Sequence, residues 1–110
     1  QNFKNYILNS KDDSTILTLK ELTPVRLLKN EFYDKIRIAY ENNASKNELK
    51  NILGRGRAKK GMFEGDVING ELEIGQISSS ISSMLSVNKI FKNLIEEFES
   101  KKRFLSHFNL

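Results

Sequence analysis

All six glycines of this 110-residue chain fall within one stretch, GRGRAKKGMFEGDVINGELEIGQ, which runs from Gly54 to Gln76. Glycine in the interior of a helix or strand costs roughly 0.5–1 kcal/mol relative to alanine, so such a concentration marks loops of fixed shape or backbone that approaches something closely. The stretch therefore divides the chain, with regular elements expected on either side of it.

Upstream, Phe3, Tyr6 and Ile7 fall at helical spacing and predict a helix ending near Asn9, followed by a turn over Ser10 to Ser14. Thr15 to Leu19 (TILTL) is β-branched and alternating, and predicts a strand. A single strand needs a partner, and Glu71 to Ile74 (ELEI) is the other alternating segment. Thr23 and Pro24 suit the cap and first turn of a helix. Val25, Leu28, Phe32, Ile36 and Tyr40 then recur at three- and four-residue steps, which predicts an amphipathic helix to about Asn42. Ser45 and Glu48 form a capping box for a second helix through Leu49, Ile52 and Leu53, stopped by Gly54.

Beyond the glycines, Ile77, Ile81, Met84 and Leu85 predict a short helix with serines on one face. Ser86 is placed to cap a last helix over Asn88 to Arg103, with Ile90, Leu94 and Phe98 in one apolar row and Phe91 and Ile95 in another. The fold class expected is mainly α with a minor β element.

Composition narrows the chemistry. With 38% hydrophobic residues the chain suffices for one small core. It has no cysteine, which excludes disulfides, thiolate metal ligands and a thiol nucleophile. No apolar run approaches the ~18 residues of a membrane span, and the opening QNFKNYILNSKDDS has no hydrophobic signal core, so a cytoplasmic chain without membrane contact is expected. The net charge of +4 is local: Ser45 to Lys60 holds Lys46, Lys50, Arg55, Arg57, Lys59 and Lys60 against Glu48 alone. Such a charge run is most simply a solvated face. GRGRAKKG lacks the Gly-Lys-Ser/Thr ending of a phosphate loop, and no aromatic platform accompanies the Arg-Gly-Arg step, so specific nucleic-acid binding is not expected.

The steps Gly65-Asp66, Gly70 and Ile74-Gly75-Gln76, with TLKELTPVRLLKNEF and a capped helix before them and an amphipathic helix after, resemble the flavin-dependent nitronate monooxygenases, formerly 2-nitropropane dioxygenases. The flavin-type enoyl-acyl-carrier-protein reductases share the Gly-Asp and Gly-Gln signature. The resemblance implies a parent (β/α)₈ barrel of about 250 residues, of which this chain would be the C-terminal portion and small domain. Residues 1–60 would form the small substrate-side domain, and residues 61–110 the glycine-rich loop and the helices that return to the barrel.

By the same resemblance the whole protein would carry non-covalent FMN and oxidise alkyl nitronates with O₂, with a small-molecule substrate and the rest of the barrel as partners. The base histidine and most of the phosphate clasp would lie upstream, leaving no catalytic residue in this segment and the isolated chain inactive. Glu73, Gly75 and Gln76 are the cofactor- or substrate-side candidates. Glu73 corresponds to a position that faces the flavin ring and substrate, Gly75 would let backbone approach the cofactor, and Gln76 offers a donor and an acceptor. His107, the sole histidine, lies outside any motif and reads as a helix-end residue, while Asp66 reads as a turn or cap residue. No metal is implied. Two alternatives stand beside this reading: a segment of an enoyl-acyl-carrier-protein reductase, and a small basic helical module that binds nucleic acid through Lys46 to Lys60.

Overall fold

The computed structural model describes residues 1–108 and consists of four α-helices, a two-stranded antiparallel sheet and two short helical turns among those residues. Helix α1 spans Asn2–Leu8, strand β1 Thr15–Thr18, strand β2 Val25–Leu28, helix α2 Glu31–Glu41, helix α3 Lys46–Leu53 and helix α4 Val87–Leu105. A π-helical turn, Lys59–Phe63, and a 3₁₀ turn, Gln76–Ser80, lie in and just beyond the glycine-rich stretch. The architecture is mainly helical with a minor sheet.

β1 pairs with β2 in the register Thr15↔Leu28, Ile16↔Leu27, Leu17↔Arg26 and Thr18↔Val25. This corrects the helix expected to start at Pro24. Val25, Leu28 and Phe32 do fall at helical steps, but Val25–Leu28 is short, apolar and β-branched at its start, and pairing with β1 satisfies its backbone. Such tertiary pairing overrides a local period. Pro24 sits just before the strand, where its missing N–H breaks no ladder bond. The helix begins seven residues later than the proline suggests, at Glu31, capped by Asn30, whose side chain accepts from the Tyr33 N–H at 3.0 Å.

The expected partner of β1, Glu71 to Ile74, lies instead on the other edge of β2. Leu28 N–H donates to Leu72 O at 2.9 Å, Ile74 N–H donates to Arg26 O at 3.1 Å, and Leu27 bridges to Glu73. β2 is thus central because both of its neighbours need a partner and it is the most apolar of the three. Leu27, Leu28 and Leu72 are all fully buried.

α2 packs on this sheet through Phe32, Ile36 and Ala39, and α3 adds Leu49. With Leu19 and Leu27 these six form one core cluster. Each fully buried Leu, Ile or Phe contributes about 1.5–3 kcal/mol. The capping box of α3 is present, with Glu48 accepting from the Ser45 backbone N–H at 2.7 Å and Ser45 Oγ accepting from Glu48 N–H at 3.3 Å. Gly54 ends α3 at φ +65°, as its composition implies.

Two further expectations are corrected after the glycine-rich stretch. The helix over Ile77 to Leu85 is limited to the Gln76–Ser80 3₁₀ turn, and residues 81–86 have no regular structure. The serines here compete with the helix: Ser80 Oγ donates to Ile77 O at 2.8 Å, and Ser79 Oγ donates to Asp12 at 2.8 Å. α4 forms where expected, capped by Ser86, but none of its residues is buried; Leu94, expected in a packed apolar row, is 57% exposed.

That bare helix gives the chain its shape. Its radius of gyration is 18.8 Å, against about 13 Å for a compact domain of this length. Ile90, Phe91, Leu94, Ile95 and Phe98 lie open along it. Among the described residues no helix is long and apolar enough to cross a membrane.

Candidate functional site

The glycine-rich stretch is held in one shape by three polar anchors, of which the sequence pointed to Asp66 alone, as a turn or cap residue. Arg57 is the first. Its Nε donates to Leu53 O at 2.6 Å and its Nη1 to Asn69 O at 2.8 Å, and its guanidinium lies 4.7 Å from the centre of the Phe32 ring. Asn30 is the second: the amide that caps α2 also donates through Nδ2 to Val67 O and Gly70 O, both at 2.9 Å. Asp66 is the third. Its Oδ1 accepts from Asn69 N–H at 2.8 Å and Ile68 N–H at 3.2 Å, and Oδ2 lies 3.0 Å from Lys60 Nζ. The Asn69 N–H and the Lys60 ammonium hold this carboxyl below its ordinary pKa. Asp66 is thus a turn residue.

Gly61, in the π-helical turn, and Gly70 are both buried where the chain crosses itself. A Cβ on Gly61 would stand 2.7 Å from Glu71 O, and one on Gly70 would overlap the backbone of Gly61 and Asp66. These two glycines are required by close approach.

The anchored stretch delivers residues 71–76 along the edge of β2. In an extended segment alternate side chains share a face, so Leu72 enters the core while Glu71 and Glu73 turn toward a cleft of about 200 Å³. Its other walls are Leu19, Leu22, Thr23 and Pro24 from the β1–β2 connection, Val25 from the start of β2 and Leu53 from the end of α3. Leu19 is fully buried at φ +54°, a left-handed conformation that an L-residue adopts at a cost on the order of 1–2 kcal/mol and that its surroundings hold in place.

The two carboxylates differ in environment. Glu71 is 8% exposed and Glu73 is exposed. Burial first and the Glu73 charge second push the Glu71 carboxyl above its ordinary pKa, and Arg57 opposes them. Sequence reasoning found Glu73 and missed Glu71, although the alternation of ELEI already puts both on one face.

Gly75 and Gln76 follow directly. Gly75 is extended at φ −72°, and a Cβ there would meet nothing within 4 Å. Among the described residues, then, no close approach requires that glycine. Gln76 is exposed and opens the 3₁₀ turn, whose Ser78 is fully buried with an unpartnered Oγ. Glu73, Gly75 and Gln76 are thus all exposed, with Glu73 on the cleft and the other two leading away from it. His107 lies elsewhere, exposed at the end of α4 with Nδ1 2.7 Å from Arg103 O.

No family model matches the sequence, and no curated protein matches it. Solved structures do. FabK from Thermotoga maritima matches with a TM-score of 0.77 at 24% identity, over 96% of this chain and 33% of its own. A single-residue mutant of the same FabK matches with a TM-score of 0.72 at 23% identity, over 96% of this chain and 30% of its own. The likeness is one of fold, and the chain spans about a third of the length of the structures it matches.

Proposed function

We propose that this chain is a segment of a flavin-dependent oxidoreductase of the enoyl-acyl-carrier-protein reductase type. The observation that carries the reading is the fold match over 96% of the chain to a third of FabK, an enoyl-acyl-carrier-protein reductase. The exposed apolar face of α4 supports it, because a helix patterned for burial but bare in this segment is suited to pack on the missing remainder of a barrel. In this reading residues 1–60 form the small domain on the substrate side, and residues 61–110 lead back to the barrel.

The residues fit the ring end of a flavin better than its phosphate end. Glu73, Gly75 and Gln76 present an open polar edge with free space over Gly75. The helix starts at α2 and α3 carry Glu31, Asp34 and Glu48 in their first turns, which oppose a phosphate there. The flavin, taken as FMN, would supply electron transfer, while Glu73 and Gln76 orient substrate or ring and the walls at Leu19, Leu22 and Leu53 exclude water.

Nitronate oxidation is the weaker reading for a physical reason. A nitronate is an anion, and a cleft edged by Glu71 and Glu73 faces it with like charge, at a cost of about 1–4 kcal/mol per close pair. A neutral enoyl thioester meets no such penalty. The test is to purify the full-length protein and follow two reactions, reduction of an enoyl thioester by a reduced nicotinamide and oxygen uptake with an alkyl nitronate. Thioester reduction by a yellow protein is expected. Nitronate turnover without thioester reduction reverses the preference, and a protein that holds no flavin overturns both.

A further inference from the structure

The cleft beside β2 holds a group that the fold leaves without a partner. Glu71 is 8% exposed and lines the cleft, yet its side chain makes no hydrogen bond and no ion pair among the described residues. Arg57, whose charge acts on this carboxyl, is turned instead onto Leu53 O, Asn69 O and the Phe32 ring. A buried carboxyl is ordinarily paired, because it has lost water and must recover the interaction elsewhere.

The rest of the cleft limits what can complete it. Glu73 is two residues further along the same extended segment, so the two carboxylates share a face, with their Cα atoms about 6.5–7 Å apart. They are the sole titratable residues of the lining; Thr23 adds a hydroxyl, and Leu19, Leu22, Pro24, Val25 and Leu53 are apolar. No group of three or more His, Cys, Asp or Glu that could hold a metal ion occurs among the described residues, and two carboxylates on apolar walls are too few ligands for one. The frame is fixed by main chain. Glu71 N–H donates to Arg57 O at 3.1 Å, Leu28 N–H to Leu72 O at 2.9 Å and Ile74 N–H to Arg26 O at 3.1 Å. The carboxylates therefore stand in place before any ligand arrives.

We propose that this cleft binds a primary alkylammonium ion, with the ammonium between Glu71 and Glu73 and the alkyl chain against Leu19, Leu22, Val25 and Leu53. An ammonium carries three donors, enough for both carboxylates and the Thr23 hydroxyl. Its charge relieves the repulsion between Glu71 and Glu73, and its chain takes apolar wall out of water. At roughly 30 Å³ per water-sized group, a cleft of about 200 Å³ takes a chain of about five carbons with its nitrogen. Such binding needs neither flavin nor turnover, so it stands apart from the reaction proposed above; an amine in the cleft would exclude the thioester from it.

Affinity follows the ionisation of Glu71. Burial and the Glu73 charge raise its pKa against the pull of Arg57, so mild acid protonates it and removes one anchor. Binding strengthens as pH rises through that raised value and holds until the amine loses its own proton near ~10.

The experiment is calorimetric titration of the full-length protein with pentylammonium, with 1-pentanol and with ammonium ion as separate probes, in mild acid and again at mildly alkaline pH. Pentylammonium is expected to bind about tenfold or more tightly than either pentanol or ammonium, and more tightly at the higher pH. Glu71→Gln and Glu73→Gln keep the shape of the lining and remove one charge each. Either should weaken pentylammonium about tenfold or more and leave pentanol unchanged. Should Glu71→Gln fail to fold, Glu73→Gln, altered at an exposed side chain, carries the same comparison. Pentanol binding as tightly as pentylammonium makes the cleft a merely apolar one, and ammonium binding as tightly makes it a site for a bare cation; either overturns the proposal. So does pentylammonium binding that is absent, or that neither substitution weakens.

Discussion

Gly61 and Gly70 meet backbone to backbone, so that a Cβ on either would stand where the other's segment runs. This one contact closes the π-helical turn onto the segment that leads to Glu71 and Glu73, and Glu71 N–H donates to Arg57 O at 3.1 Å beside it. Replacing Gly70 or Gly61 by alanine therefore forces main chain apart, an overpacking cost of about 1–3 kcal/mol or more. Gly75→Ala serves as the control, since its Cβ meets open space and its φ of −72° suits any residue. Thermal unfolding of the three variants should show large drops for the first two and almost none for Gly75→Ala. Equal drops would show that the crossing is not tight.

Asn30 joins three things at one side chain: the start of α2, Val67 O and Gly70 O. Asn30→Asp keeps the acceptor that caps the helix and loses the two donors, whereas Asn30→Ala loses all three. The aspartate is expected to cost about 1–3 kcal/mol through the two carbonyls left without their partner, and the alanine about 1 kcal/mol more for the cap. Denaturant unfolding that ranks alanine and aspartate as equal would remove the cap from this account, and a neutral aspartate would remove the anchor.

Much of this was legible in the sequence, and the pattern of misses is physical. Ser45-Glu48, Gly54 and Ser86 announce helix ends through local hydrogen bonds and backbone angles, and the structure has them. Val25 to Leu28 was misread because what decides it lies ten residues away, in the pairing with Thr15 to Thr18. Asn30 carries a capping signal of its own, Asn followed by an acidic first turn at Glu31, but a single polar residue after an apolar run is a weaker local signal than Thr23-Pro24. Arg57 was counted as part of a solvated charge run because nothing local shows that carbonyls at Leu53 and Asn69 converge on it. Glu71 needed only the alternation rule applied to both carboxylates of ELEI.

Glu71 should leave a signature in the pH dependence of stability. Its carboxyl is pushed above its ordinary pKa by burial and by Glu73, so between the unfolded and folded values the native state binds more protons than the unfolded chain. Stability then falls as pH rises from the ordinary carboxylate range through the raised value. Glu71→Gln removes this term. The variant is expected to gain on the native protein as pH rises and to lose that advantage in acid, as read from melting temperatures across pH. A constant difference would mean that Glu71 titrates as an ordinary surface carboxylate.

The bare face of α4 makes a prediction about the 110-residue chain by itself. Ile90, Phe91, Leu94, Ile95 and Phe98 are all exposed on α4, and contiguous apolar surface of several hundred Å² drives association. The isolated chain is expected to self-associate in light scattering, to become less prone to do so on Phe91→Lys and Ile95→Lys, and to purify without bound flavin. A colourless monomer at high concentration would remove the need for a covering barrel, and stoichiometric flavin would move the cofactor's phosphate site into this segment.

The last prediction separates site from scaffold in the full-length protein. Glu73 on the cleft and Gln76 three residues beyond it are exposed and form no side-chain hydrogen bond among the described residues, so truncating them removes orientation of substrate or flavin and little folding energy. Leu49 is fully buried in the core cluster, and Leu49→Ala should cost about 2–5 kcal/mol through lost burial and the cavity left behind. Turnover, flavin affinity and melting temperature are measured for the same three variants. Glu73→Ala and Gln76→Ala are expected to lower turnover or flavin affinity at nearly native melting temperature, with Leu49→Ala doing the opposite. If Glu73→Ala and Gln76→Ala leave both functional readouts unchanged, the edge that runs from Glu73 to Gln76 is scaffold and the cleft is not the site.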